Sequence, residues 1–366
     1  MKYCKKCVMN DKRPGIKFND EGICYPCLNA EKTKTTDWDK RDVELKRLAK
    51  RYHRGDNYYD CIIPASGGKD SYFQTFVMKE YLGMNPLIVC VKDPFSHTQT
   101  GEENLYNMCD SFDVDLITYT LSPDTTRKMV RLAFENFGSP NWPIDLAIYS
   151  VPLKMALQLG IELVVYGEDI SYTYGGPDAV ETYSAKNQIK NNVVQPIDWK
   201  WWYSNGINKK DVEFIKYPSG KLIDELEPIY LSYFFDWNGK TNAEFAKNYG
   251  FKTLDHEWIR NGFIEQYDQI DSVGYLLHPW LKYPKFGHAR ATDVACNWIR
   301  NGDIKREEGI KLVNENYHKL DELIVEDFLN FTGYSYNEFY EILNKLYNRD
   351  LFEFKKNVWT KKFNLK

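Results

Sequence analysis

From residue 58 onwards, short apolar runs alternate with longer amphipathic segments. The apolar runs predict buried strands at 58–65, 86–91, 115–121 and 161–166. The amphipathic segments repeat their apolar positions at helical spacing and predict helices at 70–83, 102–112, 123–137 and 145–159. Strands that alternate with helices are typical of a parallel sheet covered on both faces. We therefore expect an α/β fold whose ligands bind beyond the carboxyl ends of the strands.

The pattern changes on either side of this alternating region. A charged amphipathic helix is predicted at 38–54, just before the first strand. Residues 170–240 lose the periodicity and are rich in Tyr, Trp, Gly and Asn, which indicates an insertion or lid over the substrate. From about 290 the chain is helical again, with helices predicted near 290–301, 305–320, 321–332 and 336–348. The last three form either a docking or dimer surface or a plain helical cap.

Two CxxC pairs stand at the front of the chain, separated by sixteen residues, with the cysteines Cys4, Cys7, Cys24 and Cys27. Two such pairs at this separation predict a structural zinc site, because four thiolates fill a tetrahedron and leave no open position. A redox pair, unrelated thiols or an iron–sulfur cluster are the alternatives. The other cysteines are isolated in the sequence: Cys61, Cys90, Cys109 and Cys296. Cys61 and Cys90 lie in apolar runs and are predicted to be buried packing residues.

The turn between the first strand and the first helix of the alternating region has an unusual composition. It consists of Ser66, Gly67, Gly68, Lys69, Asp70 and Ser71. A glycine-rich turn before a helix aims free backbone N–H groups and the positive end of the helix dipole at one point, which suits a phosphate. The spacing does not fit a Walker A loop. The alternative is a structural Gly-Gly turn with a Ser or Asp helix cap.

Composition narrows the function classes. The 366 residues are 43% hydrophobic and 16% aromatic, which excludes a disordered chain. The net charge is −4, with +6 in residues 1–56 and −10 in the remainder, so a large nucleic-acid surface is disfavoured. No apolar stretch approaches the roughly 20 residues of a membrane span, and the N-terminus has no apolar signal core. We therefore expect a cytoplasmic protein with no membrane partner.

The Ser66–Ser71 turn resembles the PP-loop, SGGxDS, of the ATP pyrophosphatase superfamily, whose domains are adenine nucleotide alpha-hydrolase-like. Further segments resemble the N-acetyl sugar amidotransferases, PP-loop enzymes of surface-polysaccharide (lipopolysaccharide O-antigen) and nonulosonic acid biosynthesis. These segments are Gly167-Glu168, Tyr174-Gly175-Gly176 and Lys285-Phe286-Gly287-His288-Ala289-Arg290-Ala291-Thr292-Asp293. That family also carries an N-terminal CxxC…CxxC ribbon. The similarity extends from Cys4 to about Val313, and His288 and Ala289 occupy variable motif positions without an expected role.

This resemblance implies a domain order and a reaction. The order is a zinc ribbon at 1–37, a linker helix at 38–57, a PP-loop ATP pyrophosphatase domain at 58–289 with its insertion at about 170–240, and a helical C-terminal region at 290–366. The reaction converts an acetamido group of a nucleotide-linked sugar into an acetamidino group. ATP and Mg²⁺ activate the amide oxygen as an adenylylated imidate, and ammonia then displaces AMP.

The resemblance also implies a role for each matching residue. Ser66, Gly67, Gly68, Lys69 and Ser71 are expected to hold the departing pyrophosphate. Asp70 is expected to cap helix 70–83, to hold Mg²⁺ beside the phosphates, or to do both. Catalysis is assigned to Lys69, Asp70 and Glu168.

At the substrate the expected residues are Glu168, Asp169, Tyr174, Gly175, Lys285, Arg290 and Asp293. Glu168 and Asp169 are expected to bind Mg²⁺ or orient the amide, unless they form a solvated strand end. Lys285 and Arg290 are expected to neutralise a phosphate or carboxylate. Asp293 is expected to hold Arg290 by an intrahelical pair or to form an ordinary surface salt bridge. The aromatic run at 199–203 either stacks on sugar or base or packs in the core.

The sequence lacks the features of a glutaminase. The second residue is Lys2 rather than a nucleophilic cysteine, and none of the eight cysteines lies in a nucleophile elbow. The family works with a glutaminase and a barrel subunit similar to the pair in imidazole glycerol phosphate synthase, so such partners are expected here. The alternatives are a tRNA-modifying PP-loop enzyme, disfavoured by the acidic body and the absence of a second CxxC after the ribbon, and a non-catalytic nucleotide-binding scaffold.

Overall fold

The computed structural model describes residues 1–55, 58–175, 181–188 and 196–365. Its centre is a parallel sheet with the strand order β3-β2-β1-β4-β5. The strands are β1 Cys61–Pro64, β2 Pro86–Lys92, β3 Leu116–Thr120, β4 Leu163–Tyr166 and β5 Glu227–Tyr230. The chain order reverses between β1 and β4, and such a switch point leaves a crevice beyond the carboxyl ends of the two strands.

Helices cover both faces of the sheet and continue beyond it. In chain order they are α1 Tyr25–Thr33, α2 Trp38–Tyr52, α3 Lys69–Phe76, α4 Gln99–Phe112, α5 Pro123–Phe137, α6 Trp142–Leu159, α7 Ile170–Tyr174, α8 Trp199–Ser204, α9 Lys221–Asp224, α10 Gly239–Lys247, α11 Leu277–Phe286, α12 Arg290–Asn301, α13 Arg306–Asn316, α14 Glu322–Thr332 and α15 Tyr336–Leu346. Short 3-10 turns occur at Lys210–Val212, Leu231–Tyr233, Leu254–His256 and Gly274–Leu276.

Alternation along the strands divides the sheet core in two. Cys61 and Ile63 of β1 pack into an apolar cluster with α2, α3, α4 and α10, whereas Ile62 packs into a second cluster with α5, α6 and α8. Successive side chains of a strand point to opposite faces, so both faces of a central parallel strand must be apolar. The predicted α/β class and the parallel sheet are thereby confirmed.

A third apolar cluster joins the two ends of the chain. Val8, Met9 and the four cysteines of the CxxC pairs are buried together with residues of α11, α12 and α14. Antiparallel bridges at Tyr3–Asn10 and Phe18–Cys24 give the first residues a ribbon-like path. The N-terminal ribbon and the C-terminal helices therefore share one core.

Several boundaries differ from the sequence prediction. The helix predicted at 70–83 is α3 followed by a π-helical turn at Val77–Tyr81. The fifth strand, β5, lies inside the segment predicted as a lid, and it was missed because it is four residues long and contains Pro228. Proline is tolerated there because β5 is at the edge of the sheet.

The C-terminal region was predicted to be helical throughout, and this prediction is wrong for its last residues. It ends in an antiparallel hairpin of β6 Phe352–Lys355 and β7 Val358–Lys361. The turn residues Lys356 and Asn357 both have positive φ, which two-residue hairpins require, but the pair lacks the usual Asn-Gly signal. Within the described residues, no helix has the length and apolar character needed to cross a membrane.

Candidate active site

The loops that follow β1 and β4 border one cavity of about 770 Å³. Lys69 and Asp70 line it from the first loop, Glu168 from the second, and Arg290 from the start of α12. Their meeting point is the switch point of the sheet, where parallel α/β folds bind ligands. The cavity is also lined by Asn238 and Gly239, which begin α10.

The Ser66–Ser71 turn is held in a conformation that requires glycine. Gly67 has a φ of +81°, and a Cβ there would lie 2.5 Å from Leu105 Cα. Gly68 is the N-cap of α3 and offers no side-chain oxygen to the first N–H groups of the helix. Ser71 Oγ instead accepts a hydrogen bond from Ser66 N at 3.3 Å and closes the turn. The helix N-terminus therefore keeps backbone donors for an anion.

Asp70 does not cap α3, because the cap position belongs to Gly68. The Asp70 carboxylate lies in the first helical turn, where its Oδ2 accepts from Lys69 Nζ at 2.7 Å and its Oδ1 accepts from Asn242 Nδ2 at 2.7 Å. This part of the prediction is wrong since a side chain one residue inside the helix faces outward from the cap.

Lys69 and Arg290 share one carboxylate that the sequence did not indicate. Asp268 accepts a hydrogen bond from Lys69 Nζ through one oxygen and from Arg290 Nη2 through the other. Burial favours the neutral acid, but the two cations outweigh it and hold the pKa of Asp268 well below its usual range. Burial likewise opposes the charge of Lys69, and Asp268 and Asp70 together raise its pKa. Two cations and two anions thus balance at this end of the cavity.

Glu168 is the unpaired carboxyl of the cavity. No other described residue forms an ion pair or a side-chain hydrogen bond with it. Burial raises the pKa of Glu168 to about 8, and the negative charges of Asp70 and Asp268 add to the effect. A carboxyl with a pKa near neutrality is suited to transfer a proton.

The neighbouring Asp169 faces elsewhere. Its Oδ1 accepts from Ser171 N at 2.9 Å and Tyr172 N at 3.1 Å, so it is the N-cap of α7. It lines a separate small cavity of about 80 Å³. The structure therefore does not place Asp169 with Glu168 at the main cavity, because adjacent residues leaving a strand point in opposite directions.

Tyr174 and Gly175 lie on the wall of the main cavity, as their motif suggested. Tyr174 Oη accepts from Asn297 Nδ2 at 2.9 Å, which connects the loop after β4 to α12. Gly175 has a φ of +94°, and a Cβ there would approach Ile16 and Pro26 of the ribbon. Gly176, the third residue of that motif, lies outside the described residues, as do 177–180 and 189–195 of the predicted insertion.

The Lys285–Asp293 segment reaches the cavity, but its charges pair differently from the prediction. Lys285 Nζ donates to the Gly138 carbonyl at 2.6 Å, and burial lowers the pKa of Lys285 to about 8 with help from Lys282. Asp293 pairs with Arg13 of the ribbon and with Lys282 Nζ at 3.4 Å. The intrahelical pair with Arg290 is therefore wrong, since Arg290 reaches Asp268 instead. The pair is also not a surface salt bridge, because the Asp293 side chain is only 2% exposed.

The aromatic residues at the cavity are not the predicted ones. Trp202 is fully buried and packs against Trp142 with ring centroids 4.7 Å apart, so the run at 199–203 belongs to the sheet core. The cavity is instead lined by Trp237, Tyr267 and Trp298, and Trp298 Nε1 donates to Tyr267 Oη at 2.9 Å. These residues are scattered over 60 positions of sequence, and nothing local marked them.

His288 was assigned no role, yet it is buried and lines the cavity. Burial lowers the pKa of His288 to about 3, so the ring is neutral. Its Nδ1 is a buried atom without a hydrogen-bond partner among the described residues, as is Arg290 Nε. Its neighbourhood in the Lys285–Asp293 motif was the signal that could have found it.

The four cysteines of the CxxC pairs form one cluster whose sulfur atoms all lie within 4.8 Å of one another. Cys4 Sγ and Cys27 Sγ are 3.9 Å apart, and Cys7 Sγ and Cys24 Sγ are 3.7 Å apart. Four sulfurs at about 2.3 Å from a central Zn²⁺ would be separated by about 3.8 Å. The cluster could therefore hold a structural zinc ion, as predicted.

The surroundings of the cysteines also suit a metal–thiolate site. Backbone N–H groups of Lys6 and Cys24 donate to Cys4 Sγ at 3.4 and 3.3 Å. Arg300 Nη2 donates to Cys7 Sγ at 3.9 Å and brings a positive charge to the thiolates. Cys296, which is isolated in the sequence, lies within hydrogen-bonding reach of Cys7.

The carboxylates form no comparable cage. Among the described residues, the cysteines alone bring three or more metal-ligand atoms together. A Mg²⁺ ion bound with a nucleotide usually takes only one or two carboxylates and completes its shell with phosphates and waters. Asp70, in the Ser66–Ser71 turn, fits that smaller requirement.

Comparison with known proteins adds two findings. Residues 261–365 match the family model described as the LPS biosynthesis protein WbpG-like, C-terminal domain. This part of the chain contains Asp268, Lys285, Arg290 and Asp293, and the match supports the relation to sugar biosynthesis that the motifs suggested. The "Uncharacterized protein MJ1599" of Methanocaldococcus jannaschii is 25% identical over 209 residues, which cover 54% of this chain and 73% of that protein.

Proposed function

We propose that the protein is an ATP-dependent amidotransferase of polysaccharide biosynthesis that converts an acetamido group of a nucleotide-linked sugar into an acetamidino group. One observation carries the proposal: Lys69 and Asp70 of the Ser66–Ser71 turn border a single cavity together with Glu168 and Arg290, at the switch point of the sheet. The WbpG-like match over 261–365 supports polysaccharide biosynthesis as the setting, because it includes the α12 wall of that cavity.

The reaction balances without an enzyme nucleophile. The carbonyl oxygen of the sugar amide attacks the α phosphorus of ATP, and pyrophosphate leaves. Ammonia then adds to the imidate carbon, a proton is lost, and AMP leaves with the original amide oxygen. The amide oxygen is thereby replaced by NH, and the products are the amidine, AMP and pyrophosphate.

The residues of the cavity have natural roles in these steps. Lys69 and the N–H groups at the start of α3 stabilise the negative charge of the departing pyrophosphate. Asp268 holds Lys69 and Arg290 in position, and the phosphates compete with it for both cations. When bound, Mg²⁺ neutralises phosphate charge, and Asp70 is the carboxylate placed to hold it.

Glu168 is proposed to accept the proton that the attacking ammonia loses. Its carboxyl has no cationic partner among the described residues, and burial raises its pKa to about 8. A base with a pKa near the working pH is effective in proton transfer. Tyr174 and Gly175 form the adjoining wall against which the substrate is positioned.

Ammonia is proposed to come from a separate glutaminase acting with a barrel subunit. The eight cysteines have other environments: four form the cluster that could hold zinc, Cys296 lies against Cys7, Cys61 and Cys90 are buried in strands, and Cys109 is half-buried in α4. The purified chain should therefore use ammonium but not glutamine. Glutamine-dependent turnover by the single chain would contradict this part of the proposal.

An isotope experiment tests the reaction directly. The protein is incubated with ATP, Mg²⁺, ammonium and nucleotide-linked acetamido sugars whose amide carbonyl carries ¹⁸O. We expect a product one mass unit lighter than the unlabelled sugar and AMP that has gained the label. Unlabelled AMP formed together with unchanged sugar would reject the mechanism, whereas steeply salt-dependent tRNA binding would favour the tRNA-modifying alternative.

A further inference from the structure

A second group of charged residues lines the cavity away from the phosphate-binding turn. This group, the basic cluster, consists of Arg13, Lys282, Lys285, His288 and Asp293. Arg13 comes from the N-terminal ribbon, between the two CxxC pairs, whereas the other residues come from α11, the turn after it and α12. The cluster therefore joins the two ends of the chain at one wall of the cavity.

The ribbon fixes the position of Arg13. Asn10 Nδ2 donates to the carbonyl oxygens of Phe286 at 3.1 Å and Gly287 at 3.2 Å, so the ribbon is tied to the turn between α11 and α12. Three residues later, Arg13 Nη1 donates to Asp293 Oδ1, and its guanidinium lies 5.4 Å from the centre of the Tyr174 ring. The Arg13 side chain is 11% exposed.

The charges of the basic cluster do not balance. Arg13, Lys282 and Lys285 are three cations, and Asp293 is the single carboxylate that pairs within the cluster. The next carboxyl, Asp145, is bonded by the Tyr275 hydroxyl at 2.8 Å, and burial raises its pKa to about 7. Burial lowers the pKa of both lysines, and a neighbouring positive charge adds to it: Arg13 and Arg290 at Lys282, and Lys282 at Lys285. A buried surplus of positive charge is costly unless an anion compensates it.

The uncharged members also point to a ligand. His288 is 1% exposed, and its Nδ1 has no hydrogen-bond partner among the described residues. His278 also lines the cavity, and its buried Nδ1 likewise has no hydrogen-bond partner among the described residues. Buried polar atoms nearly always have a partner in native proteins, so two such atoms beside a cavity are expected to meet a bound group.

We infer that the basic cluster is an oxyanion subsite of the sugar-nucleotide pocket, and that Arg13, carried by the cysteine ribbon, is a substrate-binding residue. The inference rests on the proposed function for the identity of the substrate. The oxyanion is a carboxylate or a phosphate of the sugar nucleotide, since a guanidinium presents a fork of N–H donors that matches either group. Asp293 pairs with both Arg13 and Lys282 and thereby positions these two side chains.

Calorimetric binding to the full chain tests this inference independently of turnover. The probes are UDP-N-acetylglucosamine, its C6 uronic acid and ATP. We expect Arg13→Gln to weaken binding of at least one UDP-sugar by tenfold or more, which corresponds to about 1.4 kcal/mol. A loss confined to the uronic acid identifies a carboxylate as the bound group, and an equal loss for both UDP-sugars identifies a phosphate.

The matched control is Lys12→Gln, which removes the same charge from the exposed neighbouring position of the ribbon and should leave each affinity within twofold. Lys282→Gln should reproduce the loss without altering the ribbon, so the test survives if R13Q folds poorly. The inference is overturned if Arg13→Gln and Lys282→Gln both bind the UDP-sugars with wild-type affinity. It is also overturned if their affinity for ATP falls as much as their affinity for the UDP-sugars. Wild-type protein that binds UDP-sugars but never forms amidine would reject the proposed function and leave the subsite intact.

Discussion

Replacing Glu168 by Gln should stabilise the protein in a way that grows with pH. Burial raises the pKa of this carboxyl from an ordinary 4.5 to about 8 in the folded protein. The folded state therefore holds a proton that the unfolded state releases, and folding loses stability as pH rises from about 4.5 to about 8. Below that window the penalty is absent, and above it the penalty is constant.

The size of the effect follows from the shift. Each pKa unit corresponds to about 1.36 kcal/mol, so the full penalty is on the order of 5 kcal/mol. Water entering the cavity and movement of Lys69 towards the carboxylate will reduce it, and we expect a measured difference of about 2–4 kcal/mol. Gln has the shape of the protonated acid and bears no charge at any pH, so Glu168→Gln should escape the penalty.

Urea unfolding at pH 5, 7 and 9 measures this difference. The unfolding free energy of Glu168→Gln minus that of wild type should be smallest at pH 5. It should rise with pH, so that at pH 9 the variant has gained stability relative to wild type. Glu162→Gln, which removes an exposed carboxyl just before β4, should follow wild type at every pH. A wild-type-to-E168Q difference that stays constant within about 0.5 kcal/mol from pH 5 to pH 9 would refute the argument.

Three further changes probe other parts of the molecule. Lys69→Ala should lower pyrophosphate release by about 10²–10³-fold in a coupled assay, and the protein should remain folded because Asp268 keeps its pair with Arg290 and Asp70 its hydrogen bond from Asn242. Near-normal turnover would exclude a phosphate role for Lys69. Gly67→Ala should lower the free energy of unfolding in urea by about 2 kcal/mol or more, because its Cβ would meet Leu105. Gly55→Ala, with a similar φ and no atom within 4 Å of the added Cβ, should lower it less, and equal losses would contradict the clash. Chelation should remove one zinc per chain and lower the thermal midpoint by more than about 10 °C. The metal site would be rejected if the purified chain contained no metal and its thermal midpoint did not change on addition of zinc or chelator.

The sequence predicted the parts of the fold that depend on local pattern. Helix α5 was predicted at its observed bounds because its apolar positions repeat strictly and Gly138 ends it with a positive φ. The sheet could be predicted as parallel from alternation alone. Strand β5 could not, because four residues containing Pro228 carry too little pattern, and the neighbour that stabilises them, β4, lies over 60 residues away in sequence.

The site was predictable where a motif is contiguous and unpredictable where the fold assembles it. The Ser66–Ser71 turn and Glu168 follow strands, so their convergence at one edge of the sheet follows from the topology. Asp268, by contrast, reaches Lys69 across almost 200 positions. The partner of Asp293 was misassigned for the same reason, since helical spacing favours Arg290, whereas the fold brings Arg13 from the opposite end of the chain.

Because of these long-range pairs, the two ends of the cavity differ in the balance of positive and negative side chains. At the Ser66–Ser71 turn, Lys69 and Arg290 are balanced by Asp70 and Asp268, so under the proposed function the triphosphate of ATP would replace these carboxylates as the partner of the two cations. At the basic cluster the cations exceed the carboxylates, so an anionic group competes there with one carboxylate, Asp293, for three cations. Under the proposed function, an anionic sugar nucleotide would be held mainly at the basic cluster, and the balanced end would favour a ligand that brings its own cation. That division follows from Arg13, because without the ribbon's charge the basic cluster would lose one of its three cations.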